Sequence, residues 1–237
     1  MSVATVEELS AELHRLGARY ASEGSRLGYF ASLYGLMTGR VAAGMVSGRF
    51  QDPDRMQRLA CHFASRYLAA VEAHDAGEAP PASWAVAFEA ATRWKPIILQ
   101  HLLLGMNAHI NFDLGGRDDF DEINVLLSEL LEDVQTRIER VSPWMRLIDV
   151  VGGRKDEAIV NFSLRKARSA AWDVATSLSA LDASARPEAE RALDGRIAHF
   201  ARVIDQPGFL ITAAALPARL RERASPADVI EALSRPD

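Results

Sequence analysis

The chain has 237 residues, of which 49% are hydrophobic and 25% are charged. This is the composition of a globular protein and excludes a wholly disordered chain. The formal net charge of −5 argues against a nucleic-acid-binding protein, because such proteins depend on clustered Lys and Arg.

Helical periodicity recurs along the first half of the chain, and no stretch shows the sustained apolar–polar alternation of a strand. Pro, Gly and Asp mark the expected helix ends. At Asp52-Pro53, for example, an N-cap residue is followed by proline at the first helical position. The helices predicted in this half are 4–22, about 26–46, 53–77, 80–94 and 96–114.

The second half continues the same pattern without a linker or a shift in composition. Its predicted helices are about 118–141, 142–152, 156–182 and 187–204, and then two shorter ones after residue 207. We expect these last two to be broken at Pro217 and restarted at Ser225-Pro226. The sequence therefore predicts one all-α domain, residues 1–237, built as a bundle of eight to ten helices.

The predicted helix 96–114 differs from the others because residues 96–112 include no charged side chain. A helix that is apolar nearly all round is normally a buried central helix. Its polar side chains fall on two stripes at about 3.6 residues per turn. One stripe carries His101, Gly105, His109 and Asp113, and the other carries Gln100, Asn107 and Asn111.

The pair His109 and Asp113 is the most informative part of this helix. A spacing of four residues points the imidazole and the carboxylate in the same direction, as two ligands of one divalent ion require. We expect zinc, iron or manganese there, with His101 and His62 completing the coordination.

Such an ion would activate a water molecule or polarise an oxygen of the substrate. The leading hypothesis is therefore a metal-dependent, hydrolase-like enzyme that acts on a small molecule. His109 and Asp113 are its predicted catalytic groups, and Asn107 and Asn111 are predicted to orient the substrate or the metal ligands.

Two alternatives remain open. The same imidazoles could act as general acid and base in a metal-free helical pocket that binds, cyclises or isomerises an apolar metabolite. The protein could also be a non-catalytic structural or interaction protein, in which the polar side chains form a network that fixes the helix register.

Three residues outside the central helix are predicted to bind the substrate. Arg66 follows His62 by one helical turn, while Arg165 and Trp172 share a face of the predicted helix 156–182. Guanidinium groups bind carboxylates and phosphates in a two-pronged geometry. Ion pairing of the arginines and core packing of Trp172 are the structural alternatives.

The expected partner is a small molecule in the cytoplasm. The N-terminus lacks a signal-peptide pattern, and no apolar run reaches the roughly 18 residues of a membrane span. The single cysteine, Cys61, excludes an intramolecular disulfide framework and fits a reducing compartment.

The stretch LQHLLLGMNAHINFDL, from Leu99 to Leu114, resembles the signature of a largely actinobacterial family known only as a domain of unknown function. The stretches RVAAGMVSGRFQDPDRM before it and FSLRKARSAAW after it are similar to other segments shared in that family. The resemblance covers most of the chain and implies membership, but it implies no activity, cofactor or partner.

Overall fold

A computed structural model describes residues 3–50, 52–113, 182, 184–222 and 224–235. Within these ranges the chain forms eight α-helices and one π-helical segment and no strand, which confirms the all-α prediction. In chain order the helices are α1 (Val6–Ser22), α2 (Gly28–Val46), α3 (Pro53–Asp75), α4 (Ala82–Thr92), α5 (Ile98–Asn107), α6 (Arg186–Asp205), α7 (Gly208–Arg221) and α8 (Pro226–Ser234), and the π-helical segment is Ala108–Asp113. None of the described helices is long and apolar enough to cross a bilayer.

Several predictions lie outside the described residues. These are the helices expected at 118–141, 142–152 and 156–182, together with the substrate-binding residues Arg165 and Trp172. The prediction of a single domain over residues 1–237 also stays a prediction.

The first two helices form a closely packed pair. Thr5 begins α1 by accepting a hydrogen bond from the backbone N–H of Glu8 at 3.1 Å, as an N-cap residue does. Farther along, Gly17 allows α2 to approach, because a Cβ at that position would lie 2.7 Å from Oγ of Ser32. The apolar face of α1 is buried in this contact and against α8.

Helix α5 lies at the centre of the described fold, as its lack of charge predicts. It contacts α2, α4 and α6, and Leu102 and Leu104 are fully buried. The regular helix is shorter than predicted, because the chain changes to π-helical geometry at Ala108. A π-helix closes i→i+5 hydrogen bonds and has a wider turn, so a wheel drawn at 3.6 residues per turn does not apply after Asn107.

Gln100 joins the beginning of α5 to the end of α6. Its Oε1 accepts a hydrogen bond from the backbone N–H of Ile97 at 3.0 Å, and its Nε2 donates to the carbonyl of Ile204 at 2.8 Å. The first N–H groups and the last carbonyls of a helix have no partner within the helix. The Gln100 amide thus satisfies one free N–H at the start of α5 and one free carbonyl at the end of α6.

Asn107 makes the matching contact two turns later. Its Nδ2 donates to the carbonyl of Ile197 at 3.3 Å. Gln100 and Asn107 are seven residues apart, and so are their acceptors Ile204 and Ile197 in the opposite order. The two amides therefore set α5 and α6 antiparallel in one register.

Pro217 does not break the chain as predicted: α7 runs through it from Gly208 to Arg221. An interior proline leaves the carbonyl four residues earlier without its donor. That residue is Ala213, which is exposed, so water can satisfy the carbonyl. The predicted restart is confirmed, since Ser225 caps α8 and Pro226 is its first residue.

We predict that Gln100→Leu lowers the free energy of unfolding by about 2–3 kcal/mol, because the hydrogen bonds to the backbone of Ile97, Ile204 and Asp205 are lost and polar backbone groups remain without them in a largely buried contact. Urea denaturation of the full chain measures this change. The exposed amide variant Gln206→Ala is the control and should change the unfolding free energy by less than about 0.5 kcal/mol. Equal effects of the two variants would show that Gln100 does not hold the helices together.

Candidate functional site on the central helix

His109 lies inside a set of five aromatic rings, which we call the aromatic box. Its members are Phe30, Tyr34, Phe63, Tyr67 and Trp84. Phe63 stacks on the imidazole with ring centres 3.7 Å apart, and Tyr34 lies at 4.3 Å. The His109 residue is only 5% exposed, so its chemistry takes place in an apolar environment.

The aromatic box has a closed side and a more open side. Tyr67 and Trp84 are each 1% exposed, whereas Tyr34 and Phe63 are only half-buried. Burial raises the pKa of Tyr67 well above its ordinary value, so its phenol stays neutral. Tyr34 and Phe63 are the two rings nearest to His109, and a ligand from solvent would approach His109 on their side of the aromatic box.

His101 has different surroundings at the other end of α5. It is 6% exposed, and its ring meets the edge of Tyr29 at 5.7 Å between centres. Among the residues that the structure describes, neither ring nitrogen has a hydrogen-bond partner.

The buried position of His101 also keeps its ring neutral. Burial, followed by the charges of Arg26, Arg219 and Arg93, lowers the pKa of His101 to about 3. The nearby carbonyl of Pro96 makes the smallest contribution and raises the pKa of His101. This carbonyl does not have the geometry of a hydrogen bond to the ring. His101 is therefore an uncharged imidazole at neutral pH.

The two histidines are not brought together. They are eight residues apart, roughly 12 Å along a helix axis, and Phe30 packs over Gly105 between them. One ion with metal–nitrogen bonds of about 2.1 Å would have to draw both rings away from their present neighbours. In the described part of the chain, no three His, Cys, Asp or Glu side chains are grouped to hold a metal ion.

The other predicted site residues are distributed as follows. His62 and Arg66 lie half-buried on α3, the helix that carries Phe63. Asn111 and Asp113 belong to the π-helical segment, but their side chains are outside the described set. Coordination of a metal by His109 and Asp113 therefore stays a prediction.

Asn107 donates a hydrogen bond to the α6 backbone, at the carbonyl of Ile197. Cys61 is buried, and burial raises the pKa of its thiol. A thiol of this kind is a weak nucleophile, in agreement with a packing role.

The aromatic box is not among the predictions from the sequence, although the spacing of its residues contains a signal for it. Phe30 and Tyr34 are four residues apart on α2, and Phe63 and Tyr67 are four residues apart on α3. Such pairs lie on one face of a helix. Their convergence on His109 depends on how the helices cross, which spacing along one helix does not determine.

We predict that Gly105→Ala destabilises the protein by about 1–3 kcal/mol through overpacking. A Cβ at Gly105 would lie 2.5 Å from Cγ of Phe30. The control is Gly195→Ala on α6, where a Cβ meets nothing within 4 Å, and it should stabilise the helix by about 0.5–1 kcal/mol. Urea denaturation of both variants checks the pair, and a neutral or stabilising Gly105→Ala would contradict the packing of Phe30.

We predict a pH dependence of stability that belongs to His101. Its folded pKa of about 3 lies below the unfolded value of 6.5, so between these values the unfolded chain binds more protons. The free energy of unfolding should fall as the pH is lowered through this window, by up to about 1.4 kcal/mol per pH unit. His101→Phe should have a shallower slope in urea denaturation between pH 6 and pH 4.

The same prediction can be checked on the ring itself. The Hε1 resonance of His101, assigned by its loss in His101→Phe, should keep its chemical shift from pH 8 to pH 5. A titration midpoint near pH 6.5 would show that the ring is solvated and would contradict the buried placement.

The comparisons with known proteins identify a family but no activity. A family model described as a family of unknown function, DUF5995, matches residues 6–207. No curated protein and no solved structure matches the chain. The function must therefore be inferred from the geometry of these residues.

Proposed function

We propose that this chain, which belongs to the family DUF5995, binds an apolar small molecule at the aromatic box and uses His109 to transfer a proton on it. The main support for this proposal is that the imidazole of His109, a residue only 5% exposed, lies among five aromatic rings. Small-molecule sites combine an apolar lining with a few polar groups that set orientation and chemistry.

The half-buried rings provide the route for the ligand. Phe63 covers one face of His109 at 3.7 Å, and Tyr34 covers the neighbouring side at 4.3 Å. A rotation of Phe63 would expose the face of the imidazole, and the ligand would take the place of the Phe63 ring. His62 and Arg66 lie half-buried on α3, the helix that carries Phe63, and in this proposal they would meet a polar end of the ligand.

The reaction that fits this environment is an isomerisation. A neutral imidazole nitrogen removes a proton from the carbon next to a carbonyl group of an unsaturated ligand, and the electron pair moves to the carbonyl oxygen. The resulting imidazolium returns a proton to another carbon of the same conjugated system. The protons balance, and the protein ends in its starting state. General acid–base catalysis of this kind contributes roughly 10²–10⁴-fold to a rate.

A metal-dependent hydrolase is the second candidate. The observation in its favour is that His109 and Asp113 belong to one six-residue π-helical segment, and such segments recur at functional sites. In this version zinc, iron or manganese would activate water beside the aromatic box.

We place either activity in the cytoplasm. Cys61 is a free, buried thiol and the only cysteine of the chain, which fits a reducing compartment.

The test uses His109→Phe, which keeps an aromatic ring in the aromatic box and removes the proton-transferring nitrogen. The full chain is incubated in D₂O with a panel of unsaturated apolar metabolites, and mass spectrometry measures deuterium gained at carbon. We expect exchange on at least one class of compound, reduced about 100-fold or more in His109→Phe. Binding of the neutral fluorophore 1-N-phenylnaphthylamine should be retained by His109→Phe and altered by Phe63→Ala.

Phe200→Ala is the matched control, since Phe200 is an aromatic residue 38% exposed on α6 and is not a member of the aromatic box. Equal exchange in wild type and His109→Phe would reject proton transfer by His109. Elemental analysis separates the second candidate: a stoichiometric divalent metal that is lost in both His109→Phe and Asp113→Ala would replace the metal-free mechanism.

A further inference from the structure

A second polar site lies at the N-terminal end of α5, apart from the aromatic box. It is a cavity of about 20 Å³ whose lining includes Arg26, Tyr29, His101, Arg219 and Glu222. A volume of this size holds one water-sized group, so only the end of a larger ligand would enter. Neither His109 nor Phe30, which packs over Gly105, is part of the described lining of this cavity.

His101 supplies the first reason to expect a ligand in this cavity. Only 6% of His101 is exposed, and in the described part of the chain both of its ring nitrogens lack a hydrogen-bond partner. Buried polar side chains in native proteins nearly always have a partner. A neutral imidazole can offer one N–H donor and one acceptor to a group in the cavity.

The charges around the cavity supply the second reason. Among the described residues of the lining, Arg26 and Arg219 are positive and Glu222 is the one carboxylate. Burial raises the pKa of Tyr29, so its phenol contributes no negative charge. The N-terminal end of α5 adds the partial positive charge of a helix dipole, and the balance at the cavity is positive.

The two guanidinium groups are held in place and keep donors to spare. Arg26 donates to the carbonyl of Ala91 at 3.2 Å. Arg219 lies over the ring of Trp94 at 4.8 Å and donates from Nε to its carbonyl at 2.6 Å. A guanidinium carries five N–H donors, so both arginines retain donors that a ligand can use.

The position of Glu222 determines on which side of the cavity a ligand group can bind. Its two carboxylate oxygens each lie 3.2 Å from the backbone nitrogen of Ile98, the position at a helix end that an anion commonly takes. It is also held by Arg219, whose Nη1 lies 3.7 Å from its Oε2. An incoming group therefore binds beside the helix end, between the guanidinium groups and His101.

We propose that this cavity binds the carboxylate group of a small organic acid, held by Arg26, Arg219 and an N–H of His101. A single negative charge matches the excess of one cation in the lining, and a carboxylate accepts two N–H bonds from one guanidinium. The apolar remainder of the acid would lie toward the mouth of the cavity. Neither the aromatic box nor His109 takes part.

The test is a titration of the full chain with sodium acetate and sodium formate, with ionic strength kept constant by sodium chloride. Two-dimensional NMR of the histidine and arginine side chains reports binding. We expect saturable shifts of the His101 and Arg26 resonances. The apparent dissociation constant should rise at least tenfold in Arg26→Gln and in His101→Leu, because each loses one of the proposed contacts.

Two control variants locate the effect. Arg15→Gln removes an exposed arginine that pairs with Glu12 on α1 and should bind acetate as the wild type does. His109→Phe should also bind acetate normally, so the outcome is independent of the function proposed for the aromatic box. If His101→Leu does not fold, Arg26→Gln and Arg26→Lys decide, since the lysine keeps the charge and loses the two-pronged geometry.

Three results would overturn the proposal. The first is the absence of a saturable shift with acetate or formate, which would show that the cavity does not bind carboxylates and holds only water. The second is an equal response to sodium chloride alone, which would indicate a general salt effect. The third is binding of inorganic phosphate without binding of either carboxylate, which would assign the cavity to a different anion.

Discussion

Two side-chain amides hold the central helix against α6, and the position of every functional candidate depends on that contact. Gln100 donates to the carbonyl of Ile204 and Asn107 donates to that of Ile197, so the two helices are fixed in one register. A shift by one residue would remove both hydrogen bonds and leave four polar groups buried. The register is therefore strongly specified, although each bond alone contributes only about 1 kcal/mol.

This contact also determines which way the histidines point. Because Gln100 and Asn107 face α6, His101 lies on another side of α5, against Tyr29 of α2. His109 follows in the π-helical segment, and its imidazole lies among rings of α2, α3 and α4. The same helix thus presents two separate environments. One is a neutral imidazole beside two arginines, and the other is an imidazole among aromatic rings. The two proposed sites share a scaffold but need no common ligand.

Much of this fold could be predicted from the sequence. The helix starts at Asp52-Pro53 and Ser225-Pro226 were found because capping is a local interaction, and the burial of α5 followed from its lack of charge. The predicted break at Pro217 is wrong, because the cost of an interior proline depends on whether water reaches the carbonyl that loses its donor. The change to π-helical geometry at Ala108 is not predicted from the sequence. The i→i+5 hydrogen bonds that define a π-helix produce no recognisable pattern of polar and apolar residues.

Within the site, the sequence by itself determined that His101, His109, Gln100 and Asn107 lie on one central, uncharged helix, because helical spacing and lack of charge are local properties of the chain. It also identified membership of the family. Only the tertiary structure decided that the amides bind the backbone of α6, that five rings surround His109, and that Arg219 and Glu222 reach the cavity beside His101. The reason is physical: these contacts join residues up to more than a hundred positions apart, and how helices cross is set by the packing of whole faces.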